Sequence, residues 1–378
     1  MLSTNPSARF EELVSALRKL DPSINEGAPS ETEFPRSKWQ AISDAGFFEA
    51  AVDQAFSLND RLKGMLTLCE TLGEVSQDSG LNFTVATHLA STISALEQFG
   101  SEDLKARYLA DLSAGRLIGA HAISEPGAGS DAVSMQATAA KHGDEYVLNG
   151  HKAFVTNGPI ADVIVVYAKT SDSKAGGISA FLVPTTTKGV KIGPTMKKVG
   201  LISSPLSELT LDDCRIPAAN LIGREGAGFL ILSYVMKREI LYSFMMNVGE
   251  MKRRIDRCVR YANTREQFGT SIGAFQSVAN KIVEMKMRYE MSRNWILHVA
   301  EKVSQNKDVT TDVAIAKVYV SESALSTAID AVHVFGGYGF LAENGLGAEV
   351  CNALAGPIYS GTNDIQRSRI AAMMGIRA

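Results

Sequence analysis

The apolar periodicity of this chain changes twice, and no other feature constrains its fold as much. From residue 9 to about 117 the spacing is helical, as in Phe10, Leu13, Val14 and Leu17 and again in Leu62, Met65, Leu66 and Cys69. Pro22, Pro29 and Pro35 break the first long stretch, while Gly100-Ser101-Glu102-Asp103 supplies a turn, an N-cap and an acidic first turn for a helix over 104–112. After Gly119 the runs become short and alternating or β-branched, at 145–148, 161–166, 178–183 and 209–211. From Gly226 helical spacing returns in three long segments, 229–263, 273–305 and 310–335. A chain of 378 residues is long for one compact core. The layout predicts an α+β chain: a helical N-terminal domain over 1–117, a central antiparallel β-barrel or sandwich domain over 118–225, and a C-terminal helical bundle over 226–378.

Composition narrows the function. With 45% hydrophobic and 21% charged residues the chain reads as folded and globular. A net charge of -3 gives no positive field for a phosphodiester backbone, so nucleic acid is excluded as a partner. Apolar stretches such as Phe229-Leu230-Ile231-Leu232 end well short of a membrane span, and the N-terminus lacks the basic-then-apolar layout of a signal peptide, which points to a cytoplasmic protein with no membrane partner. Cys69, Cys214, Cys258 and Cys351 are far apart and the six histidines are dispersed, so neither a disulfide framework nor a metal site is expected.

Several blocks carry chemistry. Ile123-Ser124-Glu125-Pro126-Gly127-Ala128-Gly129-Ser130-Asp131 lies where helix gives way to strand, and its small residues let backbone approach a planar ligand closely. Taken alone, it reads equally as a tight loop. Asn149-Gly150-His151-Lys152-Ala153-Phe154-Val155-Thr156-Asn157-Gly158 puts an aromatic ring and a hydroxyl on one side of a strand. Arg265-Glu266-Gln267-Phe268-Gly269, followed by Phe275-Gln276, offers a cation and an amide after a long helix, and Phe335-Gly336-Gly337-Tyr338-Gly339 is a glycine turn between helices.

With Ile358-Tyr359-Ser360-Gly361-Thr362-Asn363-Asp364-Ile365-Gln366, these blocks resemble the acyl-CoA dehydrogenase family in order and spacing across about residues 36–376. The resemblance implies a C-terminal four-helix bundle, with FAD held between it, the β-domain and a neighbouring subunit. Carried over residue by residue, Ser124, Ser130, Phe154 and Thr156 line the isoalloxazine and pyrophosphate region. Arg265, Phe268 and Gln276, with Val334, Gly336 and Gly337, reach the FAD of the adjacent subunit, and Thr362 and Asp364 sit near the dinucleotide. The site then requires a homo-oligomer, a tetramer or a dimer. A packing role also suits Gly336, Gly337 and Phe154, whereas the Arg265 guanidinium suits bidentate pairing with pyrophosphate oxygens.

The catalytic base needs separate treatment, because Ser360 stands where many family members place a glutamate. A serine hydroxyl does not titrate near neutrality and cannot take an α-proton, although its main-chain N–H can still serve the thioester oxygen. In members similar to isovaleryl-CoA dehydrogenase the base comes from a helix twenty-six residues before the arginine of the RxxFG block, and from Arg265 that spacing lands on Glu239. Gly249, Asp256 and Tyr261 fit the same register. The same-face neighbours of Glu239 are Val235, Met236, Tyr242 and Ser243, a partly desolvated setting that suits a base. The alternative is a solvated glutamate beside Lys237 and Arg238.

Three departures stand out. Ile240 replaces the usual arginine after the base, a contact Arg238 could supply; Cys351-Asn352 replaces an Arg-Asp pair; and Gly46-Phe47-Phe48-Glu49-Ala50-Ala51 replaces a Gly-Gly loop. They are expected to touch substrate access, an interface and the acyl pocket, which Phe83, Thr84, His88 or Tyr242 would close. The leading expectation is FAD-dependent α,β-dehydrogenation of an acyl thioester, on CoA or a carrier protein, with electrons passing to an electron-transfer flavoprotein or O₂. The alternatives are a flavin-dependent monooxygenase or oxidase on the same fold, and a flavin-binding protein without turnover.

Overall fold

The computed structural model describes residues 6–27, 29–30, 33–173 and 175–376. The first five residues, part of the N-terminus read above for a signal peptide, lie outside this set. Helical spacing in the N-terminal part becomes α1 (Pro6–Arg18), α2 (Arg36–Asp44), α3 (Leu58–Val75), α4 (Ser79–Thr87), α5 (Ser94–Phe99) and α6 (Glu102–Ser113), with a π turn, His88–Ile93, between α4 and α5. Three of these helices start on side-chain caps: Ser57, Asp78 and Ser101 accept from the backbone N–H of Asp60, Leu81 and Leu104. Phe47 and Phe48 are fully buried in the core of this part, Phe48 against Trp39 and His88 and Phe47 against Phe48. The aromatic pair fills interior space and does not line the acyl pocket, contrary to the expectation from sequence.

Eight strands follow: β1 (Gly119–Ala122), β2 (Thr138–His142), β3 (Glu145–Thr156), β4 (Val163–Lys169), β5 (Ile178–Pro184), β6 (Val190–Ile192), β7 (Leu206–Pro217) and β8 (Leu221–Ile222). They form one sheet in the order β6-β7-β3-β2-β4-β5-β8, with β1 also paired to β4. The β1–β4 and β2–β4 pairings are parallel, so the sheet is mixed and not purely antiparallel. Alternation reports which face a residue occupies and carries no strand direction, which is why sequence missed this. Strand β3 outruns its predicted span because register shifts between Leu148 and Gly150 and between Lys152 and Val155 break its two-residue period.

The C-terminal part holds α7 (Gly228–Thr264), a small hairpin of β9 (Glu266–Gln267) and β10 (Thr270–Ser271), α8 (Gln276–Ser304), α9 (Thr310–Phe335), α10 (Gly337–Phe340), α11 (Leu346–Ala353) and α12 (Asn363–Met373). Among the described residues no helix is long and apolar enough to cross a membrane.

Helix α7 ties the molecule together by packing on α3 at two glycines. A Cβ on Gly73 would lie 2.0 Å from the Met246 carbonyl oxygen, and one on Gly249 2.0 Å from that of Glu70. Only hydrogen fits at either position, so the register between the helices is fixed there, about 15 Å along α7 from Glu239. A third helix joins through Glu70, whose carboxylate accepts from Tyr289 Oη at 2.9 Å and Arg293 Nε at 2.7 Å on α8.

Gly73→Ala and Gly249→Ala are each expected to lower stability by about 1–3 kcal/mol through overpacking, measured by urea unfolding. Gly347→Ala, where an added Cβ meets nothing within 4 Å, should leave stability unchanged or raise it.

Candidate active site

A cavity of about 640 Å³ opens where the three parts of the chain meet. The loop after β1 contributes Ser124, Gly129 and Ser130, the end of β3 Thr156, α4 Phe83 and Thr87, and α7 Met236, Glu239 and Ile240. The turn before α12 closes the wall with Tyr359, Ser360 and Gly361.

The loop over 123–131 is anchored from beneath. Glu125 is 7% exposed and accepts from Gln136 N–H at 2.6 Å, Ala137 N–H at 2.9 Å and Lys152 Nζ at 2.9 Å. Burial alone would raise this carboxyl, but the Gln136 N–H, Lys152 and the Ala137 N–H together hold it below the usual range. Lys152, itself fully buried, also donates to the Ile123 carbonyl at 3.0 Å. One ion pair thus fixes both ends of the loop that carries Ser124 and Ser130.

Strand β1 is anchored by His88. Its Nδ1 accepts from Gly119 N–H at 2.9 Å, which leaves Nε2 to donate to the Leu112 carbonyl at 3.0 Å. Burial pushes His88 down to about 4, so the ring stays neutral and holds the start of the strand that presents His121 two residues later.

Glu239 is 3% exposed, which removes the solvated alternative. Ser360 Oγ donates to its Oε1 at 2.5 Å, and His121 Nε2 lies 3.3 Å from Oε2. Oε2 accepts no hydrogen bond, so in a residue that lines the cavity one carboxylate oxygen is clamped and the other is buried without a donor. The serine side chain, given no part in the sequence reading, is the clamp.

Ser360 reaches Glu239 from a strained turn. Its φ is 54° and that of Gly361 is 80°, a left-handed pair that side chains other than glycine rarely adopt. Gln366 Nε2 donates to the Ser360 carbonyl at 3.2 Å, and Thr362 caps α12 by accepting from Ile365 N–H at 3.3 Å. Behind the turn, fully buried Lys317 donates to Asn363 Oδ1 at 2.7 Å, and burial pushes its ammonium down to about 7.

The other sequence-named residues fall into two groups. Ser124, Ser130 and Thr156 line the cavity with Glu239 and Ser360. Thr362 and Asp364 do not: the first is a helix cap, and the second is an exposed side chain 3.9 Å from Arg367. Arg265, at the start of the α7–α8 connection, Phe268, in its hairpin, and Gln276, the first residue of α8, are exposed outside the cavity. Arg265 lies 5.4 Å from the Tyr338 ring centre, which brings it to the Gly336-Gly337 turn, and Val334 is buried beside that turn. Phe154 and Phe268 are 65% and 95% exposed, and both sit on left-handed backbone. Among the described residues, three of the seven non-glycine residues in that conformation, Phe154, Phe268 and Ser360, are residues the sequence marks for the site. Strain of about 1–3 kcal/mol per residue persists where function requires the geometry.

Of the four residues proposed to close the acyl pocket, Phe83 lines the cavity and Thr84, His88 and Tyr242 do not. Ile240 lines it as well, whereas Arg238 packs on the Tyr234 ring at 5.2 Å, beside a separate small chamber, and does not replace the missing arginine. Asn352 accepts from Leu201 N–H at 2.6 Å and holds the α11 end to the loop before β7. Sequence missed His121, Gln366 and Arg369. A lone histidine on a short strand gives no local signal of the helix it faces.

Known proteins place this geometry. Sequence profiles of the acyl-CoA dehydrogenase N-terminal, middle and C-terminal domains match residues 14–116, 120–214 and 226–375. An L-prolyl-[peptidyl-carrier protein] dehydrogenase from a Serratia species is 40% identical over 342 residues, covering 90% of this chain and 88% of that protein. Among solved structures, PigA with FAD and proline superposes with a TM-score of 0.91 at 36% identity, over 100% of this chain and 99% of that one. Butyryl-CoA dehydrogenase from Megasphaera elsdenii gives 0.90 at 30% identity over 99% of each chain. The chain belongs to the acyl-CoA dehydrogenase family.

Proposed function

We propose that this protein catalyses FAD-dependent α,β-dehydrogenation of an acyl thioester tethered to a carrier protein, with an L-prolyl group as the first substrate to test. The observation that carries the reading is Glu239: a buried carboxylate at the cavity wall with one oxygen clamped and one free. The carrier tether and the prolyl group are supported by the 40% identical relative and by the structure solved with FAD and proline.

The residues present fit the dinucleotide. Small hydroxyl side chains and glycine backbone form one wall of the cavity, and two aromatic rings are held outward on strained backbone at positions the family uses for flavin. Ser124, Ser130, Phe154 and Thr156 would hold FAD within the subunit. Arg265, Phe268, Gln276, Val334, Gly336 and Gly337 would reach the FAD of a second copy, and Thr362 and Asp364 would lie near the dinucleotide. A second copy has a surface to bind: Val283, Met287 and Met291 on α8 are more than half exposed, and the first two border a groove shared with Val259 and Ile282.

In the reaction, the free Oε2 of Glu239 takes the α-proton while the clamp at Oε1 stops the carboxylate from rotating. FAD, when bound, would supply the acceptor for the hydride that leaves the β-carbon, with an electron-transfer flavoprotein or O₂ as the final electron acceptor. The main-chain N–H of Ser360 serves the thioester oxygen, and Phe83, Ile240 and Tyr359 keep apolar surface around the reacting carbons. The monooxygenase alternative gains nothing from Ser360, whose hydroxyl is engaged with Glu239.

Three outcomes test this reading. Mixed anaerobically with prolyl carrier protein, the oxidised enzyme should lose its flavin colour; Glu239→Gln should slow that by about 10²–10⁴-fold, and Ser360→Ala by about tenfold through loss of a hydrogen bond to a charged group. Bleaching at the native rate in Glu239→Gln refutes the base assignment. Prolyl carrier protein should bleach the flavin faster than prolyl-CoA, and equal rates would remove the tether from the account. Arg265→Ala should weaken flavin retention roughly tenfold, measured by FAD titration of the apoprotein.

A further inference from the structure

We propose that His121 is a proton-relay residue that takes the abstracted α-proton from Glu239 and returns the base to its carboxylate form while the thioester is still bound. This deepens the dehydrogenase reading and rests on it.

The geometry is specific. His121 Nε2 lies 3.3 Å from Oε2, the carboxylate oxygen that Ser360 leaves free, and not from the clamped Oε1. The Glu239 side chain is 4% exposed and the imidazole 13%, so of these two cavity-lining groups the ring is the more open to solvent. His121 makes no other ion pair among the described residues, and its Nδ1 is sealed from solvent without a partner, so the proton enters and leaves through Nε2. Neighbouring phenols offer no competing acceptor: burial pushes Tyr167 and Tyr359 well above neutrality. Asp131, Lys237 and Arg369 stand at the cavity wall without an ion pair to His121.

The step conserves atoms and charge. After α-proton abstraction Glu239 carries Oε2–H. That bond breaks as Nε2–H forms on the neutral imidazole, leaving imidazolium beside a restored carboxylate. The imidazolium then gives the Nε2 proton to water in the cavity, since Nδ1 is sealed from solvent. Without the ring, a carboxyl group this buried holds the proton against the substrate carbon and hands it back.

The two fates separate in deuterium oxide. A single turnover with prolyl carrier protein is quenched before completion, and deuterium at the α-carbon of unreacted prolyl thioester is measured by mass spectrometry alongside flavin bleaching. The wild-type enzyme should incorporate deuterium during bleaching. His121→Gln should cut incorporation about tenfold more than it cuts bleaching, a loss on the scale of acid–base catalysis. In His121→Gly, added imidazole should restore incorporation, which a merely structural role does not predict. Native incorporation in His121→Gln overturns the relay, as does an equal loss of both signals with no imidazole rescue. If wild-type protein bleaches with no thioester, the dehydrogenase reading itself fails; if it bleaches without incorporating deuterium, only the relay does.

Discussion

The hydrogen bond from Ser360 to Glu239 joins the C-terminal turn to the N-terminal half of α7, and the site depends on it. A carboxylate 3% exposed is costly to bury unless its charge is met by donors. Ser360 supplies one short bond to Oε1, and His121 stands beside Oε2. The same distance explains the residue type at 360. A glutamate there would put a second carboxylate against Glu239, and two like charges at hydrogen-bond distance cannot both ionise. Serine is small, neutral and a donor, so a buried carboxylate on α7 and a serine in the turn are two sides of one arrangement.

Much of the remaining structure holds these two residues in place. Gly73 and Gly249 set the register of α7 against α3, and Glu70 extends that contact to α8. On the other side, Gln366 and the buried Lys317–Asn363 pair hold the strained turn. His88 and the Glu125–Lys152 pair do the equivalent work beneath the β1 strand and its following loop. Apart from the two glycines, each device is a buried polar group paired by hydrogen bonds, which gives a fixed geometry in place of a soft apolar one.

The three-part fold was legible because it depends on periodicity, which is local. The segment over 310–335 was read residue for residue, since nothing interrupts its helical spacing. Strand direction and the two shifts in β3 were not legible, because they depend on pairing between distant segments. Within the site, Glu239 was found by counting from Arg265, yet its contacts with Ser360 and His121 cross 121 and 118 residues of sequence. Phe47 and Phe48 mark the same limit. Their departure from the family pattern is visible in sequence, but only packing shows that they fill the N-terminal core.

The central claim is that Glu239 takes a proton from the α-carbon in the same event that bleaches the flavin. The most direct measurement is the rate of anaerobic bleaching by prolyl carrier protein carrying deuterium at the α-carbon, compared with protium. A base acting there makes the deuterated substrate several-fold slower, and replacing Glu239 by Asp keeps or enlarges the effect. Equal rates for the two isotopes in Glu239→Asp, where slowed chemistry must limit bleaching, would contradict the account.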